Sequence, residues 1–161
     1  MLKKLQENKN KNEGFTIIEV MIVLAIAGLI LLIVFLAIPA LQRNSRNTQR
    51  KNDVSALLGA VNEFTSNTNG TLPTTAADQT TTLANARTGY YQGAGTGQGQ
   101  IAWAAGLQAA PAAMPANDRV IIVTGARCGA AGATVVGSAR QVAVQYQTEG
   151  SGNPIPTCQD S

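Results

Sequence analysis

Histidine is absent from this chain of 161 residues, and cysteine occurs only twice, at Cys128 and Cys158. Metal centres built from several His or Cys ligands are therefore excluded, as is any nucleophile that needs an imidazole for its base. Aromatic residues make up 4% of the sequence and charged residues 13%. A chain so poor in large side chains supports only a small core. The formal charge is +3, but the first fourteen residues hold four lysines and two glutamates, so only about +1 remains beyond them. That is not the basic footprint of a nucleic-acid-binding domain. No cofactor, no metal and no catalytic residue is expected, because no nucleophile with a matching base is present.

What the chain does have is one long apolar run. Gly14-Phe15-Thr16-Ile17-Ile18-Glu19-Val20 leads into eighteen uncharged, almost wholly apolar residues ending at Ile38. The run is long enough to cross a bilayer, and Glu19 is the single acid just inside its start. An ionised carboxylate in hydrocarbon costs several kcal/mol, and a plain anchor gains nothing from it. Glu19 therefore needs a partner. A secretory signal peptide would have a shorter apolar core followed by a small-residue cleavage site, and neither feature is present. A lipoprotein signal would place a cysteine at the end of the run, whereas the first cysteine is Cys128. Lys3, Lys4, Lys9 and Lys11 on one side face Arg43, Arg46, Arg50 and Lys51 on the other, so the positive-inside rule leaves the orientation open.

The ordered match from Gly14 to Val20, preceded by a short lysine-bearing polar stretch, resembles the class III signal of type IV prepilins and pseudopilins. That resemblance implies cleavage by a prepilin peptidase between Gly14 and Phe15, and N-methylation of the new Phe15 terminus. It further implies that Glu19 neutralises the terminal amine of a neighbouring subunit as the filament assembles. Chemistry agrees in part, since cleavage would create an amine one helical turn from Glu19 on the same face. Within one subunit, however, that amine competes with the first-turn amides; the competing reading, a helix N-terminal acid in the headgroup region, leaves the glycine, the phenylalanine and the leader unexplained. The implied partners are other pilin subunits, the prepilin peptidase, the pilus assembly machinery and the inner membrane. The implied location is the cytoplasmic membrane, as a single pass with the head outside, followed by an extracellular filament.

Beyond the run, Val54, Leu57, Leu58, Val61 and Phe64 form one apolar stripe at helical spacing, and Asn69-Gly70 is a stop signal. One helix from Phe15 to about Asn67 is expected, roughly 80 Å long at 1.5 Å per residue. Gly28 and Pro39 are its candidate bend points. For Pro39, a kink at the membrane exit and a role in filament melting are both open. Residues 70–99 read as a loop with a short helical piece near Thr81 to Ala86. Strand signals lie at Arg119 to Thr124 and Gln141 to Gln147, with additions at 134–136 and 101–104. The expected architecture is α+β: a long helix, membrane-spanning then amphipathic, under a small antiparallel sheet. The divisions are 1–14 (leader), 15–41 (transmembrane and assembly helix), 42–69 (amphipathic continuation) and 70–161 (globular head).

In an oxidising compartment, two cysteines are most simply read as one disulfide. The resemblance places Cys128 and Cys158 at the ends of a C-terminal disulfide-bounded region, while two unrelated free thiols are the competing reading. Tyr90, Tyr91 and Trp103 are read as core or lid, with an adhesive patch as the alternative. Arg43, Arg46, Arg50 and Lys51 form a basic cluster at helical spacing. In some pilins such a patch binds DNA, but a headgroup anchor or solvated helix face is the preferred reading here. The function expected is a structural subunit of a type IV pilus, not an enzyme. Its rivals are a type II secretion pseudopilin and, from another class, a monomeric membrane-anchored binding domain.

Overall fold

The computed structural model describes residues 14–95, 99–106 and 118–161. The leader residues Met1 to Glu13 lie outside these. The chain divides into two compact units, one ending at Leu41 and the other running from Gln42 to Ser161.

The first unit is helical. Helix α1 spans Ile17–Asn67 and is continuous through Gly28 and Pro39, so neither residue breaks it. Its N-terminal stretch is apolar on every face, and among the described residues none covers it: Ile17, Leu24, Leu29, Phe35 and Leu36 are all more than half exposed. A helix apolar all round is one that some other surface covers, protein or lipid.

The second unit begins with the remainder of α1. That part ends as the sequence expects, with Asn69 in the left-handed region (φ 56°) and Gly70 N–H donating to the Thr65 carbonyl at 2.7 Å. This is the six-to-one bond of a Schellman ending. Gly70 is favoured by its φ of +89°, a backbone conformation that L side chains rarely adopt.

Helix α2 spans Ala76–Ala86, starting five residues earlier than expected. Thr75 is its N-cap: Asp78 N–H donates to Thr75 Oγ1 at 3.2 Å, and the Thr75 hydroxyl donates to the Asp78 carboxylate at 2.7 Å. The Thr-x-x-Asp spacing was a start signal. It was masked by Thr80, Thr81 and Thr82, which read as loop but bond back to the carbonyls four residues earlier.

Among the described residues six strands follow: β1 Ile101–Ala105, β2 Val120–Thr124, β3 Ala126–Cys128, β4 Thr134–Val136, β5 Val142–Thr148 and β6 Ile155–Asp160. The main sheet has the order β1-β2-β5-β6, while β3 and β4 form a separate pair. All pairings are antiparallel except β1 with β2, which run parallel. The fourteen residues between Ala105 and Val120 permit this, since a parallel pair needs a crossover of about a dozen residues or more. Gly125, at φ +71°, turns the chain from β2 into β3. Strand β6 carried no sequence signal because Pro156 argues against a strand. An edge position tolerates it, and β6 is at the sheet edge.

Period-two alternation in β5 sends Val142, Val144 and Tyr146 to one face. There they join Val54, Leu57, Leu58 and Val61 of α1 in the main core, with Ile101, Val120, Ile122 and Tyr91. Phe64, at the end of the stripe, is only partly buried. On the opposite face Ala143 packs with Val123 and Ala126 in a second, smaller core, against which Cys128 and Cys158 lie. Those two are joined, with Cα atoms 5.6 Å apart and a sequence separation of 30. The bond ties β3 to the edge strand β6.

Closing a loop of that length contributes roughly 3 to 4 kcal/mol in the chain-entropy model. Cys158→Ser should therefore destabilise the second unit by roughly 2 to 5 kcal/mol. It should also expose the β6 edge to protease. Limited proteolysis and thermal melting with and without reductant check this, and the wild type under reductant should approach the variant.

Candidate functional site

At the N-terminal site Gly14, Phe15 and Thr16 precede α1, and Glu19 lies in its first turn. Thr16-x-x-Glu19 is a capping box. The N–H and hydroxyl of Thr16 donate to Glu19 Oε2 at 2.8 and 2.7 Å, and the Glu19 N–H donates back to Thr16 Oγ1 at 3.4 Å. Within a single chain the carboxylate is thus held by first-turn groups. Phe15 is 90% exposed. Together with Glu19, Val20, Val23 and Leu24 it lines one apolar concavity. The arrangement presents a carboxylate with a spare oxygen at the end of an apolar surface, one turn from the Gly14–Phe15 bond.

The basic cluster behaves differently from the preferred reading. Stepping the core stripe back from Val54 by helical intervals reaches Arg50, then Asn47 and Arg46, then Arg43. These residues face the second unit's own loops. Arg50 is 2% exposed. Its guanidinium bonds Asp118 in a short ion pair, donates to Tyr90 Oη at 2.9 Å and lies 4.8 Å from the Tyr90 ring centroid. Tyr90 in turn donates a short hydrogen bond to Asp118. Arg46 makes a two-pronged pair with Glu149 at 2.7 and 2.6 Å, and Asn47 exchanges hydrogen bonds with the Glu149 backbone. Arg43 donates to the Gly150 carbonyl at 3.2 Å. Arg50 is therefore not part of a solvated face, and Arg46, though its side chain is 42% exposed, is already paired with an internal acid. Lys51 is exposed, and no acid among the described residues pairs with it.

Sequence reasoning missed the acids. Asp53 accepts from three successive amides, Gly89 N at 3.0 Å, Tyr90 N at 2.6 Å and Tyr91 N at 2.9 Å. It thereby fixes the turn that inserts Tyr91 into the core. The i, i+3 spacing of Arg50 and Asp53 on the edge of the stripe was the available signal. Tyr90 and Tyr91 meet edge to face with centroids 5.0 Å apart. Burial raises both phenols, and for Tyr90 the bond to Asp118 adds to the shift. The Arg46 hydrogen bond lowers the Glu149 carboxyl below the usual range. Among the described residues no cluster of three or more His, Cys, Asp or Glu could hold a metal.

Residues 9–35 match the family model described as the prokaryotic N-terminal methylation motif, the class III signal of type IV prepilins. The match covers the Gly14–Phe15 junction, the capping box and most of the apolar run. No curated protein and no solved structure matches the chain.

Removing one partner of a buried pair leaves the other charge uncompensated, which costs roughly 3 to 5 kcal/mol, whereas an apolar replacement of both is close to neutral. Asp118→Asn should therefore melt well below the wild type, and Arg50→Met combined with Asp118→Leu should recover much of the loss. For Glu149 the folded-state pKa is lowered, so its contribution is present above the unfolded-state pKa and is lost as pH falls through the folded value. Stability should decline on acidification below about pH 5, and Glu149→Gln should flatten that part of the curve. Denaturant titrations at stepped pH check both expectations.

Proposed function

We propose that this chain is the prepilin of a type IV pilus or a closely related filament, cut after Gly14, methylated on Phe15 and polymerised through the N-terminal part of α1. The methylation motif indicates a prepilin of the type IV pilin and pseudopilin kind. The observation that carries the assembly reading is an apolar helix surface that no described residue covers, bearing one carboxylate, Glu19, within a turn of the cleavage junction. In the membrane the Thr16 capping box satisfies that carboxylate. In the filament the methylated amine of a neighbour takes over part of this role, and the ion pair sets the stagger between subunits. Gly28 and Pro39, inside α1, are the positions where the packed helix yields, since proline lacks the N–H that would bond one turn back.

A pilus subunit is preferred over a secretion pseudopilin with a calcium loop because all but Glu63 of the acids of the second unit are engaged within the chain. Asp53 holds backbone amides, Asp78 caps α2, and Asp118 and Glu149 pair with arginines. Asp160 accepts from Cys128 N–H. DNA binding by the basic cluster is disfavoured for the same reason, and the chain acts as a structural subunit with no catalytic role.

Intact-mass measurement of surface-sheared material should show loss of residues 1–14 and one added methyl group. A mature species retaining Met1 to Gly14 would remove the prepilin reading. Glu19→Ala should still insert, since deleting a charge from an apolar segment eases insertion, and it should still be cleaved, but filaments should be absent by electron microscopy. Wild-type numbers of filaments from this variant would show that the carboxylate does not register the subunits.

A further inference from the structure

Trp103 is the chain's one tryptophan, and polymerisation through α1 gives it no task. It sits in β1, its position fixed by the parallel register with Ile122, and part of its indole packs on the main core. The rest of the residue, with Pro73, Thr74, Gln79 and Thr124, lines a cavity of about 170 Å³. Its Nε1–H is shielded from solvent, and no described protein group accepts from it. The Gln79 amide is held only by a long contact, 3.5 Å, to the Pro73 carbonyl.

From these features we infer that the Trp103 cavity is a binding subsite for one neutral sugar ring. No charged side chain lines it, so a charged ligand would be desolvated without a partner. A wholly apolar ligand would leave the polar side chains of Gln79, Thr74 and Thr124 in the lining unmatched, a loss of the kind that drives discrimination. A pyranose fits both demands. Its polarised C–H groups are drawn to the negative face of the indole, and its hydroxyls both donate and accept. The volume is below the roughly 300–1,000 Å³ of sites for drug-sized ligands, which limits the occupant to about one ring. Placement on a sheet strand and beside the start of α2 makes the site rigid, which lowers the ordering cost of binding. This inference concerns the second unit and stands whether or not α1 builds a filament.

The sole tryptophan is its own reporter. The full chain, held in a detergent without a sugar headgroup, is titrated with the methyl glycosides of glucose, galactose and N-acetylglucosamine while Trp fluorescence is followed. At least one glycoside should give a saturable change with a Kd in the range of about 0.1 to 10 mM. Gln79→Ala should weaken it about three- to tenfold, the size of one hydrogen bond. Thr124→Val should act in the same direction, and both variants should keep the wild-type melting temperature. The inference fails if none of the three glycosides saturates, if both variants bind as the wild type does, or if cyclohexanol binds as tightly as the best glycoside.

Discussion

Burial of Val54, Leu57, Leu58 and Val61 against Ile122, Val142, Val144 and Tyr146 is the contact from which the rest of the globular unit follows. At about 25 cal/mol for each Å² of apolar surface removed from water, this stripe is the main source of stability in a unit with few aromatics. It also forces a cost. The same helix face, followed one turn towards the N-terminus, carries Arg50, which is driven into the interior with the stripe. Asp118 and Tyr90 are the response, because a guanidinium can be buried only with its charge met and its donors occupied. Asp53 then anchors the turn at 89–91, and Arg46 with Asn47 anchors the chain at Glu149. One apolar stripe thus dictates where three separate connections touch the helix.

The two ends of α1 obey opposite rules. Towards its C-terminus, polar groups at the edge of the stripe are matched one by one within the chain. Towards its N-terminus, apolar side chains from Ile17 to Leu41 are exposed with nothing matched to them, and the single acid is satisfied locally by Thr16. A surface of that kind is stable only in hydrocarbon or against other helices. The methylation motif across residues 9–35 begins within the polar leader and covers most of this exposed apolar stretch.

The disulfide and the second small core complete the unit where the first core cannot reach. Ala143, Val123 and Ala126 are small, and the face they form would be thin without β3, β4 and the bond to β6. The C-terminal strand, interrupted in sequence by Pro156, is kept in register by pairing with β5 along Ala143 to Thr148 and by a covalent link that does not depend on hydrophobic area.

The sequence by itself determined the features that depend on neighbours along the chain. These were the apolar run with its lone acid, the helix and its Asn69-Gly70 ending, the alternation of β5, and the short β-branched run of β2. Each is a local pattern with its own period or stop signal. Only the tertiary structure decided the rest. Arg50 and Arg46 read as a basic surface because their acids, Asp118 and Glu149, lie 68 and 103 residues away. The parallel pairing of β1, the strand identity of β6 and the cradle formed by Asp53 were equally hidden. Each is fixed by a partner distant in sequence, and no local period records who that partner is.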